Sequence, residues 1–236
     1  KGSVRPTGSS PESAAELFRR TYCNNSDTIL ANEVRDALYK DYSLDLSSLK
    51  ANNLLASIGA LTLASSRGAV SAVVTYNFDT ALETYLRAFG LVVESVAQVP
   101  CWASRADLRI LHPHGLLRPD EPATHGVVLT MADFDRVVGD GRDAWRRAVL
   151  EALASRTCLF VGISGEDSNL RSIMMELKET HAATRESLPY WGYSTGKRPR
   201  PNAHIWHERG VCPLEFDEYE EIPAFLLRIC QRAAMR

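Results

Sequence analysis

From residue 70 onward, short apolar runs alternate with longer amphipathic stretches. Runs of β-branched and aliphatic residues predict strands over 70–76, 91–96, 108–112, 127–130, 158–163, 190–194 and 211–216. Apolar residues spaced three and four apart predict helices over 80–88, 132–138, 143–155, 168–181, 201–209 and 221–234. This alternation predicts an α/β fold, an open and mainly parallel sheet covered by helices.

Between residues 13 and 67 the pattern is helical. Residues 13–40 read as two helices broken near Asn24-Asn25-Ser26-Asp27, where Ser26 or Asp27 can cap the second. Residues 48–67 read as a third, with an apolar stripe of Leu49, Leu54, Leu55, Ile58, Leu61 and Leu63 and a stop at Gly68. The expected organisation is a flexible end over 1–12, a helical annex over 13–67 and the sheet domain over 68–236.

Composition narrows the class. The 236 residues are 45% hydrophobic and 24% charged, with a net charge of −2 and an isoelectric point near 6.3. That balance makes no electrostatic case for nucleic acid. The one basic run, Lys197-Arg198-Pro199-Arg200, reads as a solvated loop. No apolar run approaches the roughly 18 residues of a membrane span, so no membrane partner is expected. The five cysteines are dispersed without a C-x-x-C pair, which excludes a zinc ribbon of the usual spacing and suits a reducing cytoplasm. Tyr190, Trp191, Tyr193 and Trp206 are expected to pack near the sheet.

Three strand ends carry polar groups. The first is Thr75-Tyr76-Asn77-Phe78-Asp79. An amide and a carboxylate at this place can hold a ribose hydroxyl, a carboxamide or a water, or can simply cap the helix that follows. The second is Leu111-His112-Pro113-His114-Gly115. A histidine beside a glycine can act as a base with room for a ligand, or can be an ordinary polar edge residue. His-Pro-His is too short to define a metal site. The third runs from Cys158 through Gly162, Ser164 and Asp167 to Asn169. Gly162 permits close approach of a ligand, and Ser164 with the following helix start can bind sugar hydroxyls or phosphate. Asp167 or Ser168 capping the next helix is the plainer alternative. The order Gly-x-Ser-Gly departs from the Gly-x-Ser-x-Gly elbow of serine hydrolases. A doubly wound sheet places its ligand crevice at such strand ends.

Taken together, the motifs resemble those of sirtuins. Tyr76-Asn77-Phe78-Asp79 is similar to the family's Gln-Asn-Ile-Asp signature, and more so to the Thr-Asn-Tyr-Asp form of bacterial sirtuin-like domains. His114-Gly115 resembles the catalytic His-Gly, and Leu159–Asn169 resembles the strand-to-helix element F-x-G-x-S-x-x-D-x-N. Trp206, Gly210 and Pro213-Leu214-Glu215-Phe216 resemble the last strand and its approach. The resemblance implies a Rossmann-like fold with NAD as the ligand. It implies that Asn77 sits near the nicotinamide ribose and positions water, while His114 acts as base or hydroxyl partner. Asp79 would contact the carboxamide, with Thr75, Tyr76 and Gly115 lining the same site. Gly162, Ser164, Asp167 and Asn169 would line the adenosine side.

Without the four-cysteine zinc ribbon of the deacylases, the resemblance points to the metal-free NAD hydrolases of bacterial antiphage defence. Those are expected to act in the cytoplasm as homo-oligomers or under a sensor partner. The family's Gly-Ala-Gly phosphate loop has no counterpart here, since the only glycines before Gly59 are Gly2 and Gly8. The expectation is that it precedes Lys1. A non-catalytic module that binds NAD or ADP-ribose within a larger complex is the alternative.

Overall fold

A computed structural model describes residues 10–64, 70–101, 105–130, 132–133, 144–154, 156–165, 168–184 and 189–235. They form a mixed α/β fold of two three-stranded sheets with helices, consistent with the Rossmann-like expectation. The chain divides into two compact units. Unit 1 takes the described residues of Lys1–Leu49 and Val73–Trp145, and unit 2 those of Lys50–Ala72 and Arg146–Arg236. The helical segment before residue 68 therefore contributes to both units.

Unit 1 opens with helices α1 (Pro11–Tyr22) and α2 (Asp27–Tyr39). The break between them follows from local chemistry. Asn24 and Asn25 take φ values of 49° and 57°, and the Ser26 side chain accepts from Ile29 N to start α2. Of the two cap candidates, Ser26 fills the role. Buried Arg19 fastens this pair to the rest of the unit. Its guanidinium meets Glu16 at 2.6 Å, Asp27 at 2.7 Å and Asp133 at 3.2 Å. Asp133 in turn accepts from the backbone N–H groups of Leu129 and Thr130.

The unit 1 sheet has the order β1 (Ala72–Val74), β3 (Leu108–Leu111), β2 (Val93–Val96). Strands β2 and β3 run parallel, with Val93 opposite Leu108 and Val96 opposite Leu111. Helix α5 (Ala81–Ala88) connects β1 to β2. Leu86, Leu108 and Ile110 are fully buried in its core. Residues 127–130 form no strand. Val127 instead packs with Ala31 and Leu117 in a core cluster that includes Tyr39 and Phe78. Its β-branched side chain fills space without joining a ladder.

The single helix expected over 48–67 is two helices, α3 (Leu46–Ala51) and α4 (Asn53–Leu63). Asn52 divides them, and its side chain accepts from Leu55 N at 3.0 Å. Helix α4 buries Ser57, Gly59 and Thr62, while Leu54 stays 37% exposed. The small-residue face, not the leucine stripe, is the more deeply buried one.

Unit 2 carries helix α6 (Ala144–Ala154), a parallel sheet of β4 (Cys158–Phe160), β5 (Gly192–Lys197) and β6 (Val211–Phe216), and helices α7 (Ser168–Thr180), α8 (Ala203–Glu208) and α9 (Glu221–Ala234). Helix α4 packs on α9, which buries Ile222, Pro223 and Leu226. Among the expected aromatics, Trp191 and Trp206 are core residues, with Phe160 against both rings. Tyr193, by contrast, is 39% exposed. The expected helix over 132–138 falls mostly outside the described residues.

Candidate active site

In unit 1 the end of β1 meets the end of its neighbour β3. Thr75 N donates to Leu111 O at 2.9 Å, the last rung between the two segments. The chain then turns. Thr75 Oγ1 accepts from Asn77 N at 3.1 Å, and Asn77 is left exposed. One residue on, Phe78 O accepts from Leu117 N at 2.8 Å, tying this turn to the segment after His114-Gly115.

His114 follows β3 and packs its ring against Tyr76, centroid to centroid 4.5 Å. Its carbonyl accepts from Val128 N at 2.8 Å. Gly115 takes φ +100°, and a Cβ there would stand 3.0 Å from Val127 Cγ1. Both conformation and space require glycine at this position.

Beneath the two turns lies a fully buried pair. His112 Nε2 stands 2.6 Å from Glu83 Oε1, and His112 Nδ1 stands 3.2 Å from the Asn77 carbonyl. A carbonyl can only accept, so that contact requires a proton on Nδ1. Nε2 then accepts from a protonated Glu83 or, as imidazolium, donates to its carboxylate. Both arrangements hold the same number of protons and leave the pair neutral. A neutral buried pair avoids the cost of an isolated buried charge.

Asp79 closes an Asx turn just before α5, its Oδ1 accepting from Ala81 N at 2.9 Å, while Thr80 at the cap position makes no side-chain cap bond. Tyr39 of α2 completes the frame, with its hydroxyl donating to Leu117 O at 2.9 Å and accepting from Thr80 N at 3.2 Å. Burial raises the Tyr39 phenol above its ordinary range, and the charges of Asp79 and Glu83 add to that.

Thr75, Tyr76, Asn77, Asp79, His114 and Gly115 are thus brought together in unit 1. Gly162 and Ser164 lie in unit 2, on the turn after β4. Gly162 takes φ +71° with open space where a Cβ would be, and Ser164 is exposed. Asp167 lies outside the described residues. Asn169 lies in the first turn of α7, its side chain likewise outside what is described.

Sequence reasoning missed Glu83 and Tyr39. A signal for Glu83 existed, because it stands three residues before Leu86, on the same side of α5. A carboxylate on the apolar face of an amphipathic helix requires a buried partner.

The family model of the SIR2-like domain matches residues 71–214, more than half of the chain. The chain belongs to the SIR2-like family. The match opens beside β1 and closes within β6, so it includes all three polar strand ends. SIR2-like domains are NAD-dependent, which makes the function of this chain NAD-related. A comparison with the curated proteins finds no match.

In unit 1, Asn77 offers an exposed amide, and the Gly115 turn follows His114, whose ring packs on Tyr76. In unit 2, Gly162 leaves its own side of the turn open. Among the described residues, no group of three or more His, Cys, Asp or Glu side chains is placed to hold a metal, and the five cysteines are free. No helix among the described residues is long and apolar enough to cross a membrane.

Proposed function

We propose that this SIR2-like chain is an NAD hydrolase that cleaves the nicotinamide–ribose bond. The observation that carries the reading is the junction of β1 and β3, where bonds from Thr75 N to Leu111 O and from Leu117 N to Phe78 O tie the segment of exposed Asn77 to the one that carries His114-Gly115. The bond to a pyridinium nitrogen breaks with its electron pair going to the ring, so nicotinamide leaves neutral. Positive charge then develops on the ribose. A site need only orient a water toward C1′, stabilise that charge and take up a proton.

In this reading Asn77 orients the water through its side-chain amide. His114, fixed by Gly115 and packed on Tyr76, accepts the water's proton as the new C–O bond forms. The His112–Glu83 pair acts at one remove. By holding the Asn77 carbonyl it fixes the turn, and so the direction in which the amide points. Asp79 stabilises the start of α5 and, through its second oxygen, is available to the carboxamide. Gly162, Ser164, Asp167 and Asn169 would take the adenosine side.

Unchecked loss of NAD would kill a host cell, so we place the activity in the cytoplasm as the effector of an antiphage system. It would be held in check by a homo-oligomeric state or a sensor partner. Release of nicotinamide from NAD by purified protein, in its activated assembly, tests the chemistry. Asn77→Ala and His114→Ala are each expected to lower the rate by roughly 10²–10⁴-fold. Unchanged turnover in both variants removes the assignment. Tight binding of NAD with no nicotinamide released selects a binding module instead.

A further inference from the structure

Residues 112–130 carry the His114-Gly115 turn and form neither helix nor strand. A stretch this long without a ladder of its own needs partners for its backbone N–H and C=O groups. Side chains of α2 supply several of them. Asn32 Oδ1 accepts from Ala123 N at 3.0 Å, and Asn32 Nδ2 donates to Ala123 O at 3.2 Å. One primary amide thus bonds both polar groups of a residue, as a neighbouring strand would. Arg35 Nη1 donates to Glu121 O at 2.9 Å, and the Tyr39 hydroxyl donates to Leu117 O at 2.9 Å.

Positions 32, 35 and 39 are spaced three and four apart, so they share one face of α2. The contacts run in reverse order along the segment, at 123, 121 and 117. Apolar packing backs them. Ala31 of α2 packs with Leu117 and Val127, and Val34 and Tyr39 join the same cluster. At the start of α2, a Cβ on Gly126 would fall 2.8 Å from Asp27 Cβ.

The held segment leads back to the site. Val128 N donates to His114 O, and Val127 lies against Gly115. Tyr39 also reaches the other turn, where its hydroxyl accepts from Thr80 N at 3.2 Å, just past Asn77 and Asp79. A single hydroxyl therefore joins the backbone after His114 to the backbone after Asn77. Burial raises the Tyr39 phenol above its ordinary range, which keeps that hydroxyl protonated and able to donate. Helix α2 itself precedes the SIR2-like stretch 71–214.

We propose that α2 is a template for the site. Its Asn32, Arg35 and Tyr39 face sets the path of residues 117–128, and Tyr39 is the positioning residue that fixes the spacing of His114 from Asn77. Tyr39 acts through the backbone at Leu117 and Thr80 and takes no part in proton transfer. A reacting geometry that loosens lowers turnover while ground-state binding is kept. The inference rests on the hydrolase reading for its kinetic readout alone.

Tyr39→Phe and Asn32→Ala in the full chain test it, by two measurements. Phenylalanine keeps the ring in the core cluster, and thermal unfolding reports whether each variant keeps the fold. In nicotinamide release, Tyr39→Phe is expected to lose roughly ten- to hundredfold in kcat with KM within about twofold of wild type. Amide hydrogen exchange, read by mass spectrometry, is expected to quicken about tenfold over 111–128 and to stay unchanged over β2. Asn32→Ala is expected to give the same pattern. Wild-type kcat in both variants overturns the template and leaves the hydrolase. Exchange that quickens evenly across unit 1 also overturns it, because that is general loosening. If the wild-type chain releases no nicotinamide, the hydrolase falls, and exchange in the two variants decides the template by itself.

Discussion

His112 Nε2 and Glu83 Oε1 stand 2.6 Å apart with side chains 0% and 1% exposed. Neither group can turn to water if its partner is removed. Glu83→Ala is therefore expected to lower unfolding free energy by about 3 kcal/mol, the usual scale for breaking a buried pair. Glu83→Gln is expected to cost less, near 1 kcal/mol, because its amide can donate to Nε2 while Nδ1 keeps its bond to Asn77. Urea denaturation of both variants checks the order. Equal losses in the two would contradict a hydrogen-bonded role for this position.

Gly115 bears on the placement of His114. With φ +100° and Val127 Cγ1 only 3.0 Å from a modest side chain, Gly115→Ala forces either backbone or Val127 to shift. A loss of roughly 1–3 kcal/mol is expected. Gly115→Ala combined with Val127→Ala relieves the contact but not the backbone strain, so recovery should be partial. Full recovery would show that sterics alone demand glycine there.

Asp79 separates a turn contact from a ligand contact. Asp79→Ala is expected to cost about 1 kcal/mol, since Ala81 N loses its acceptor. Asp79→Asn keeps an acceptor oxygen and should stay near wild-type stability. If Asp79→Asn nevertheless weakens NAD binding in calorimetry, the carboxylate has a role beyond α5.

Thiol chemistry distinguishes the cysteines. Burial pushes the Cys158 thiol up to about 12, well above its ordinary value, while Cys101 is exposed. At pH 8 Cys158 therefore holds almost no thiolate. An aromatic disulfide reagent is expected to label Cys101 in the native protein and Cys158 only after denaturation. Mass spectrometry of the labelled peptides decides it, and prompt native labelling of Cys158 would contradict its burial.

The sequence made the order of elements plain because each strand and helix carries its own period. The strand over 211–216 and the helix over 221–234 have the bounds expected of them. The strand ends were less legible. β1 ends at Val74, and just past its last rung Thr75 Oγ1 accepts from Asn77 N to start a turn, a side-chain contact that hydropathy does not encode. Val127 carried a strand's composition into a packing role beside Ala31. In the site, Asn77 and His114 were legible from their place after apolar runs. Glu83 was only half legible: its place three residues before Leu86 signals burial, but its partner His112 is brought to it by the fold alone. Arg200 was hidden in a similar way, its half-buried place over β5 masked by the company of Lys197 and Arg198.

Unit 2 is discontinuous in sequence, assembled from Lys50–Ala72 and Arg146–Arg236. Dissection of the gene meets a constraint here. A fragment starting at Arg146 would carry all of β4, β5 and β6 but lose α4, the helix packed against α9. Such a fragment would present a sticky apolar ridge, prone to self-association during expression. A soluble half-molecule calls for grafting residues 50–72 onto it through a new linker, so that the order of the polypeptide follows the order of the packing.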